Sequence, residues 1–297
     1  MPPKKSGNPD EIRRQELSNF LRTRRARRVP DEVGLTAGPR RRTPGLRREE
    51  VAQLAGISTT WYTWLEQKRP VKVSVNVLNN LARVLALNAA ERIQLFNLAL
   101  RSPLVERPPR RQAISPVIQR TLDQLETVAG FIMGPRWDVL AWNRAARAFF
   151  FDFTTVPIEQ RNLVWLTFTH PALKALMVDW PTRARDVLAR FRGDYGRHAG
   201  DAHFEQLVEK LQALSPEFAQ WWPRHDVLPQ SEGRKQYAHP TAGRIHAEHL
   251  TFSMTDNPEL RLTLFAPVAE AESITRFRHL VASFETSGRD NGASPST

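Results

Sequence analysis

The sequence predicts a two-domain protein, an all-α module of five helices followed by an α+β domain, and three observations carry that prediction. Residues 43–69, TPGLRREEVAQLAGISTTWYTWLEQKR, read as two short amphipathic helices joined by a tight turn at Ala55-Gly56-Ile57-Ser58. The charge is lopsided: residues 1–113 hold 23 Lys and Arg against 10 Asp and Glu, whereas residues 114–297 hold 20 against 21. Beyond residue 113 the pattern changes to strand-like alternation mixed with helical spacing, with six of the eight tryptophans.

The first predicted helix covers about 16–28, with Leu17, Phe20 and Leu21 on one face and Arg22, Arg24, Arg25, Arg27 and Arg28 on the other. Pro and Gly then break any helix through VPDEVGLTAGPRRRTPG. In the next helix Val51, Leu54 and Ala55 share a stripe, and Ala52 is small where two helices cross closely. Gly56 supplies the permissive backbone of a sharp helix end, Ile57 plugs the angle, and Ser58 caps the following helix. That third helix turns Tyr62 and Leu65 inward, and its opposite face carries Thr59, Thr60, Thr63, Trp64 and Gln67. The arrangement is a helix-turn-helix, which delivers its second helix to the DNA major groove. Hydroxyls there pair with any base edge, and apolar surface suits the thymine methyl. An ordinary helical hairpin is the plainer alternative. Two more helices follow, at 74–85 with Val77, Leu78, Leu81 and Leu85 inward, and at 89–100 with Ile93, Leu95, Phe96 and Leu98.

Residues 102–113, SPLVERPPRRQA, have the Pro and charge content of a linker. In the second domain, 131–142 alternates around Gly134-Pro135 and reads as a hairpin, and Asn143 caps a short helix, RAARAFF. Helical patterns follow at 161–193, broken by Pro181, at 201–213, and from Ser215 with Pro216 in the first turn. Strands are expected at 243–254 and 260–268, preceded by one near 235–240. The expected organisation is a disordered basic stretch at 1–14, a DNA-binding domain at 15–101, the linker, a second domain at 114–284 and a disordered tail at 285–297.

The 297 residues suffice for two cores. The absence of cysteine excludes disulfides, zinc-finger chemistry and thiol nucleophiles. No secretory signal and no bilayer-length apolar run are visible, so a cytoplasmic protein without membrane attachment is expected. The positive charge of the front third points to a polyanionic partner, double-stranded DNA. An enzyme reads poorly here. His225 and Asp226 are neighbours in sequence only, His246 and His249 lie at an odd spacing within the strand-like RIHAEHLTFSM, and no phosphate loop or nucleophile elbow appears. No cofactor or metal is expected.

The run from Leu17 through Glu66, including GLTAGPRRRTPGLRREEVAQLAGISTTWYTWLEQ, resembles the DNA-binding domain of bacterial regulators of the xenobiotic-response-element class, which is lambda-repressor-like. More narrowly it resembles the MmyB-like transcription regulators. RWDVLAWNRAA at 136–146, DWPTRARDVLARFR at 179–192, SPEFAQWWPRHDV at 215–227 and GRKQYAHPTAGRI at 233–245 are similar to that family's ligand-binding domain. The resemblance implies a DNA-binding regulator that acts as a homodimer, with a PAS-like second domain that accepts a fatty-acid-like ligand. It places Thr59, Thr60 and Trp64 at base-reaching positions and Arg48 near a phosphate. Lys68 stands where the family places Gly, and a lysine adopts a left-handed turn only at a cost.

Arg40, Arg41 and Arg42 are candidates for phosphate contact or minor-groove insertion, with a solvated basic loop as the plainer reading. For a long apolar ligand, Trp137, Trp142, Phe149, Phe150, Trp165, Phe168 and Met177 are available as lining, although each serves equally as core. A carboxylate head needs a donor, for which Arg136, Arg185, His225 and Arg244 are the candidates. The rival to a ligand-responsive regulator is a constitutive DNA-binding protein whose second domain serves only dimerisation or protein contacts.

Overall fold

Helix α1 (Pro9–Arg27) opens earlier than its apolar spacing predicts, because Asn8 and Pro9 form a start signal of their own: the Asn8 side chain accepts from Asp10 N at 3.0 Å and Pro9 needs no partner for a missing N–H. Residues 9–14, expected to be disordered, are therefore helical. The computed structural model describes residues 8–35, 43–100, 114–228, 233–255 and 257–290, and the chain divides into two compact units. One consists of Met1–Glu106 and Leu188–Pro229, the other of Arg107–Val187 and Gln230–Thr297.

The first unit holds α1, α2 (Arg48–Ala55), α3 (Thr59–Glu66), α4 (Val75–Val84) and α5 (Ala89–Ala99). Helices α3, α4 and α5 start on side-chain caps: Ser58 Oγ accepts Trp61 N at 3.1 Å, as the sequence suggests, Ser74 Oγ accepts Val77 N at 3.3 Å, and Asn88 and Glu91 exchange bonds at 2.9 and 3.0 Å. Leu17, Phe20, Leu21, Val51, Ala52, Tyr62, Leu78, Leu81 and Leu95 meet in one core, with Trp61 packed at its edge. Ile93, expected to carry α5 inward, is 58% exposed, and Gln94 takes the buried position beside it. The same unit contains the C-terminal part of α10 (Trp180–Arg197), α11 (Ala202–Leu214) and α12 (Pro216–Trp221). Ala199 and Val227 from this stretch enter the core of the five helices. Gly196 lies so close to α5 that an added Cβ would sit 2.1 Å from Gln94 Nε2.

The second unit holds α6 (Pro116–Asp123), β1 (Ala129–Met133), β2 (Val139–Trp142), α7 (Arg144–Phe149), α8 (Leu163–Thr169), α9 (Pro171–Leu176), the start of α10, β3 (Gly233–His239), β4 (Gly243–Ser253), β5 (Arg261–Pro267) and α13 (Ala271–Asp290). Its five strands run β2-β1-β5-β4-β3, antiparallel throughout. Phe131 pairs with Trp142 on one side and Thr263 on the other, and His249 pairs with Phe265. Alternation buries Thr263 and Phe265 on one face, where Phe149, Tyr237 and Phe277 join them. Asn143 caps α7 by accepting from Ala146 N at 2.8 Å and also ties β1 and the end of α6, accepting Gly130 N and donating to Leu122 O, Leu125 O and Val128 O.

Two further expectations are corrected here. Pro181 lies in the first turn of α10 instead of breaking a helix, since a first-turn proline loses no hydrogen bond, and the interruptions fall at His170, between α8 and α9, and ahead of α10 at Asp179, whose φ is +55°. Helices α6 and α13 were not foreseen. Helix α13 runs to Asp290, into the stretch expected to be a disordered tail. Among the described residues no helix is long and apolar enough to cross a membrane.

Candidate nucleic-acid interface

Helices α2 and α3 meet across Gly56, whose φ of +70° is left-handed. Gly56 N–H reaches Gln53 O at 3.2 Å and Ile57 N–H reaches Ala52 O at 3.0 Å, which closes α2 with paired bonds. Beyond this turn Tyr62, Leu65 and Glu66 are buried. The opposite side of α3 presents Thr59, Thr60, Trp64 and Gln67 to solvent, with Thr63 half-buried between them. All five residues chosen from the sequence thus share one outward face.

Trp64 is 37% exposed, which is unusual for so large an apolar ring. The Arg69 guanidinium lies over it, 5.8 Å from the ring centroid, and holds it on the surface. Arg69 is placed by the end of α3: its N–H reaches Trp64 O at 3.0 Å while Lys68 N–H reaches Leu65 O at 3.2 Å. This closure needs a left-handed residue, and Lys68 supplies it at φ +66° without being glycine. Lys68, Arg69 and Lys72 are all exposed at this end of the helix, a cationic group that the sequence reading did not single out. An open depression of 320 Å³ lies nearby, lined by Ile57, Ser58, Trp61, Lys72, Ser74 and Val77.

Helix α3 is anchored by Glu66. Its carboxylate has no exposed side-chain surface and accepts Arg25 Nε at 2.7 Å and Arg48 Nε at 2.6 Å, while its carbonyl takes the Ser18 hydroxyl at 2.6 Å. Burial works against the charged form of Glu66, but the two arginine bonds outweigh it and hold its pKa below the ordinary 4.5. Burial and the nearby Glu66 charge raise the Tyr62 phenol well above its ordinary value. Arg48, expected near a phosphate, is fixed by this bond and still 46% exposed.

The basic face of α1 differs from expectation. Arg24 pairs with Glu91 at 3.2 Å, Arg25 with Glu66 at 2.7 Å, Arg27 with Asp226 at 2.8 Å and Arg28 with Glu32. Three of these partners, Glu91, Glu66 and Asp226, lie far along the chain, so part of the positive charge of α1 ties the fold together, while Arg22 and Arg27 stay exposed. Arg40, Arg41 and Arg42 lie outside the described residues.

Residues 114–280, more than half of the chain, match the family model of the MmyB-like transcription regulator ligand binding domain, and residues 16–95 match a helix-turn-helix domain. The chain belongs to the MmyB-like transcription regulators. Comparison with curated proteins finds no match. This MmyB-like chain is accordingly a DNA-binding transcription regulator with a helical front and an α+β ligand-binding region. Both matched families are transcription-regulator domains, not enzymes. Among the described residues no group of His, Asp and Glu is arranged to hold a metal ion.

In this MmyB-like regulator the aromatic set falls in the second unit. Trp137, Phe149 and Phe168 are buried, and Trp142, Phe150, Trp165 and Met177 are half-buried. Phe149 meets Phe150, Tyr237 and Phe277 at 4.9, 5.0 and 5.3 Å, and Trp142 meets Phe153 at 5.2 Å. Met177 bridges to Tyr237 through the backbone. The proposed head-group donors are scattered. Arg136, beside the β1–β2 turn, is held by Asp138 through two 2.9 Å bonds, Arg185 is an exposed residue of α10, and Arg244 is an exposed residue of β4. His225 belongs to the other unit, with the DNA-binding helices. The sequence reading missed Arg261, which is buried beside Trp137 at 5.4 Å on the face that carries Phe265. The alternation of RLTLF, which puts Arg261 in phase with Thr263 and Phe265, was the available signal.

Proposed function

We propose that this regulator reads a specific DNA sequence through the outward face of α3 and that a fatty-acid-like ligand in its second unit changes how tightly it does so. Thr59, Thr60, Thr63, Trp64 and Gln67 take the base edges, and Arg48, Lys68, Arg69 and Lys72 take flanking phosphates. Arg40, Arg41 and Arg42 add backbone or minor-groove contacts. The observation that supports this reading most directly is the exposed Trp64 held outward by Arg69 on a helix whose other face is fully committed to the core.

The protein acts as a homodimer on two half-sites about 34 Å apart, one helical turn. The ligand enters a PAS-like fold and lies against the aromatic face of the five-stranded sheet, its carboxylate taken by one of Arg136, Arg185, Arg244 or Arg261. Such a ligand alters DNA affinity only if it binds two arrangements of the dimer unequally.

Selection of bound sequences from random DNA, with and without long-chain fatty acid, tests both halves. One enriched motif, bound with an affinity that the fatty acid changes at least tenfold, is the expected result. Recovery of unrelated sequences overturns specific reading. An enriched motif with affinity indifferent to fatty acid, together with no lipid retained in native mass spectrometry, leaves a constitutive DNA-binding protein whose second unit serves dimerisation or protein contacts.

A further inference from the structure

The match to the ligand-binding domain runs without interruption from 114 to 280, yet Leu188–Pro229 within it folds in the unit of the DNA-binding helices. The junction is a buried charged cluster on one side of α1. Arg192 of α10 is 1% exposed, and its guanidinium carbon lies 3.4 Å from the centroid of the Trp222 ring. Its Nη1 stands 3.3 Å from Glu16 Oε2 and 3.1 Å from His225 Nδ1, and its Nη2 donates to Trp222 O. From α1, Arg24 donates to His225 O and Arg27 reaches Asp226 Oδ1 at 2.8 Å and Arg224 O at 2.7 Å. A buried arginine with this many assigned partners fixes orientation, since any shift of α1 against residues 192–226 leaves charge unpaired.

The other side of α1 holds the recognition helix. Arg25, adjacent to Arg24, binds Glu66 Oε1, and Ser18 binds Glu66 O. Helix α1 is thus gripped on one face by sequence of the ligand-binding family and grips α3 with the next.

We infer that residues 188–229 form a brace on the DNA-binding helices, so that ligand-binding-domain sequence sets the position of α3 through α1. The inference rests on the DNA-binding reading for its consequence, though not for its mechanics. A change in the hold of Arg192, His225 and Asp226 on Glu16, Arg24 and Arg27 loosens Arg25 and Ser18, and with them Glu66.

The test uses the full chain and DNA selected by the wild type. Arg192→Met weakens DNA binding at least tenfold and speeds amide exchange of residues 61–66 by a similar factor. In double-mutant cycles it is non-multiplicative with Arg25→Met by threefold or more, and multiplicative with Thr59→Ala on the reading face. Should Arg192→Met fail to fold, Asp226→Ala decides: its side chain is half exposed, its removal spares the buried core, and it weakens binding and speeds α3 exchange at least threefold. A folded Arg192→Met, or failing that Asp226→Ala, with wild-type affinity and wild-type α3 exchange overturns the brace and leaves DNA reading intact. A wild type that selects no DNA sinks the DNA reading, and the exchange measurement still decides the brace.

Discussion

Arg48 opens α2 and Glu66 closes α3, and the two meet at 2.6 Å across the helix-turn-helix. The carboxylate is shared with Arg25 of α1, so one buried charge ties three helices. Glu66→Gln leaves both arginines without their anion and costs about 2 to 3 kcal/mol, below the value for a fully buried pair because Arg48 remains half in water. Since the folded pKa of Glu66 lies below 4.5, its charge stabilises the protein above that pH and the contribution disappears as pH falls through the folded value. Thermal unfolding of Glu66→Gln at several pH values checks this: the gap to wild type is full at neutral pH and narrows below pH 4.5.

His225 gives a second pH signature. Burial, followed by the charges of Arg192, Arg24, Arg27 and Arg22, pushes its pKa from 6.5 down to about 3. The folded protein therefore keeps this ring neutral, in keeping with Nδ1 accepting from Arg192, while the unfolded chain takes up a proton below 6.5. Stability from this group is complete above pH 6.5 and declines as pH falls toward 3, by up to about 1.4 kcal/mol per pH unit. Asparagine tolerates the left-handed φ of +52° at this position and offers an acceptor oxygen. Urea unfolding of His225→Asn between pH 6.5 and 4 shows a flatter dependence than wild type; an unchanged slope contradicts the assignment.

Lys68 separates stability from binding. Replacing it by glycine relieves the left-handed strain at φ +66° and stabilises the protein by about 1 kcal/mol. The same change removes an exposed cation beside α3, so DNA affinity falls and the salt slope of binding drops by about one. Melting temperature and a salt titration of Lys68→Gly move in opposite senses.

Residues on α3 and residues beside it differ in what they do to sequence preference. Thr60→Ala and Trp64→Ala each cost about 1 to 3 kcal/mol on the selected sequence and little on unrelated DNA. Lys72→Ala weakens both alike. Anisotropy titrations with selected and scrambled duplexes distinguish the two patterns, and a uniform loss for Trp64→Ala removes it from the reading face.

In the second unit Asn143 makes five hydrogen bonds with its side chain, to Gly130 N, Ala146 N, Leu122 O, Leu125 O and Val128 O. Asn143→Ala strands these buried groups and destabilises the protein by about 3 to 4 kcal/mol, measurable in denaturant unfolding. Asn143→Asp fares no better, since the three carbonyl oxygens then face an acceptor.

What the sequence made legible was local. Gly56 between apolar stripes, serine and asparagine caps, and the alternation of β4 and β5 all depend on neighbours a few residues away, and the helices and strands appear where those signals lie. The outward face of α3 follows from the same periodicity. What stayed hidden depends on residues distant in the chain. The arginines of α1 look like a solvated basic face until Glu66, Glu91 and Asp226 are brought to them. His225 looked like a head-group donor because nothing local shows that it serves Arg192. Pro181 misled for another reason, since a proline reads as a helix breaker unless its place in the first turn is recognised, and the polar, charged 1–14 masked the helix start at Asn8-Pro9.

The polypeptide passes between its two compact units three times, after Glu106, Val187 and Pro229. A DNA-binding front cut at residue 113 and joined to the rear of another regulator would inherit Glu16 and Arg27 but lose the Arg192 and Asp226 that answer them. Such a chimera carries unmatched charge on α1 and folds poorly unless the rear brings its own matching arginine and acid. The front is thus not a self-contained cassette: a substitution at Glu16 or Arg27 on α1 calls for a matching one at Arg192 or Asp226, far downstream.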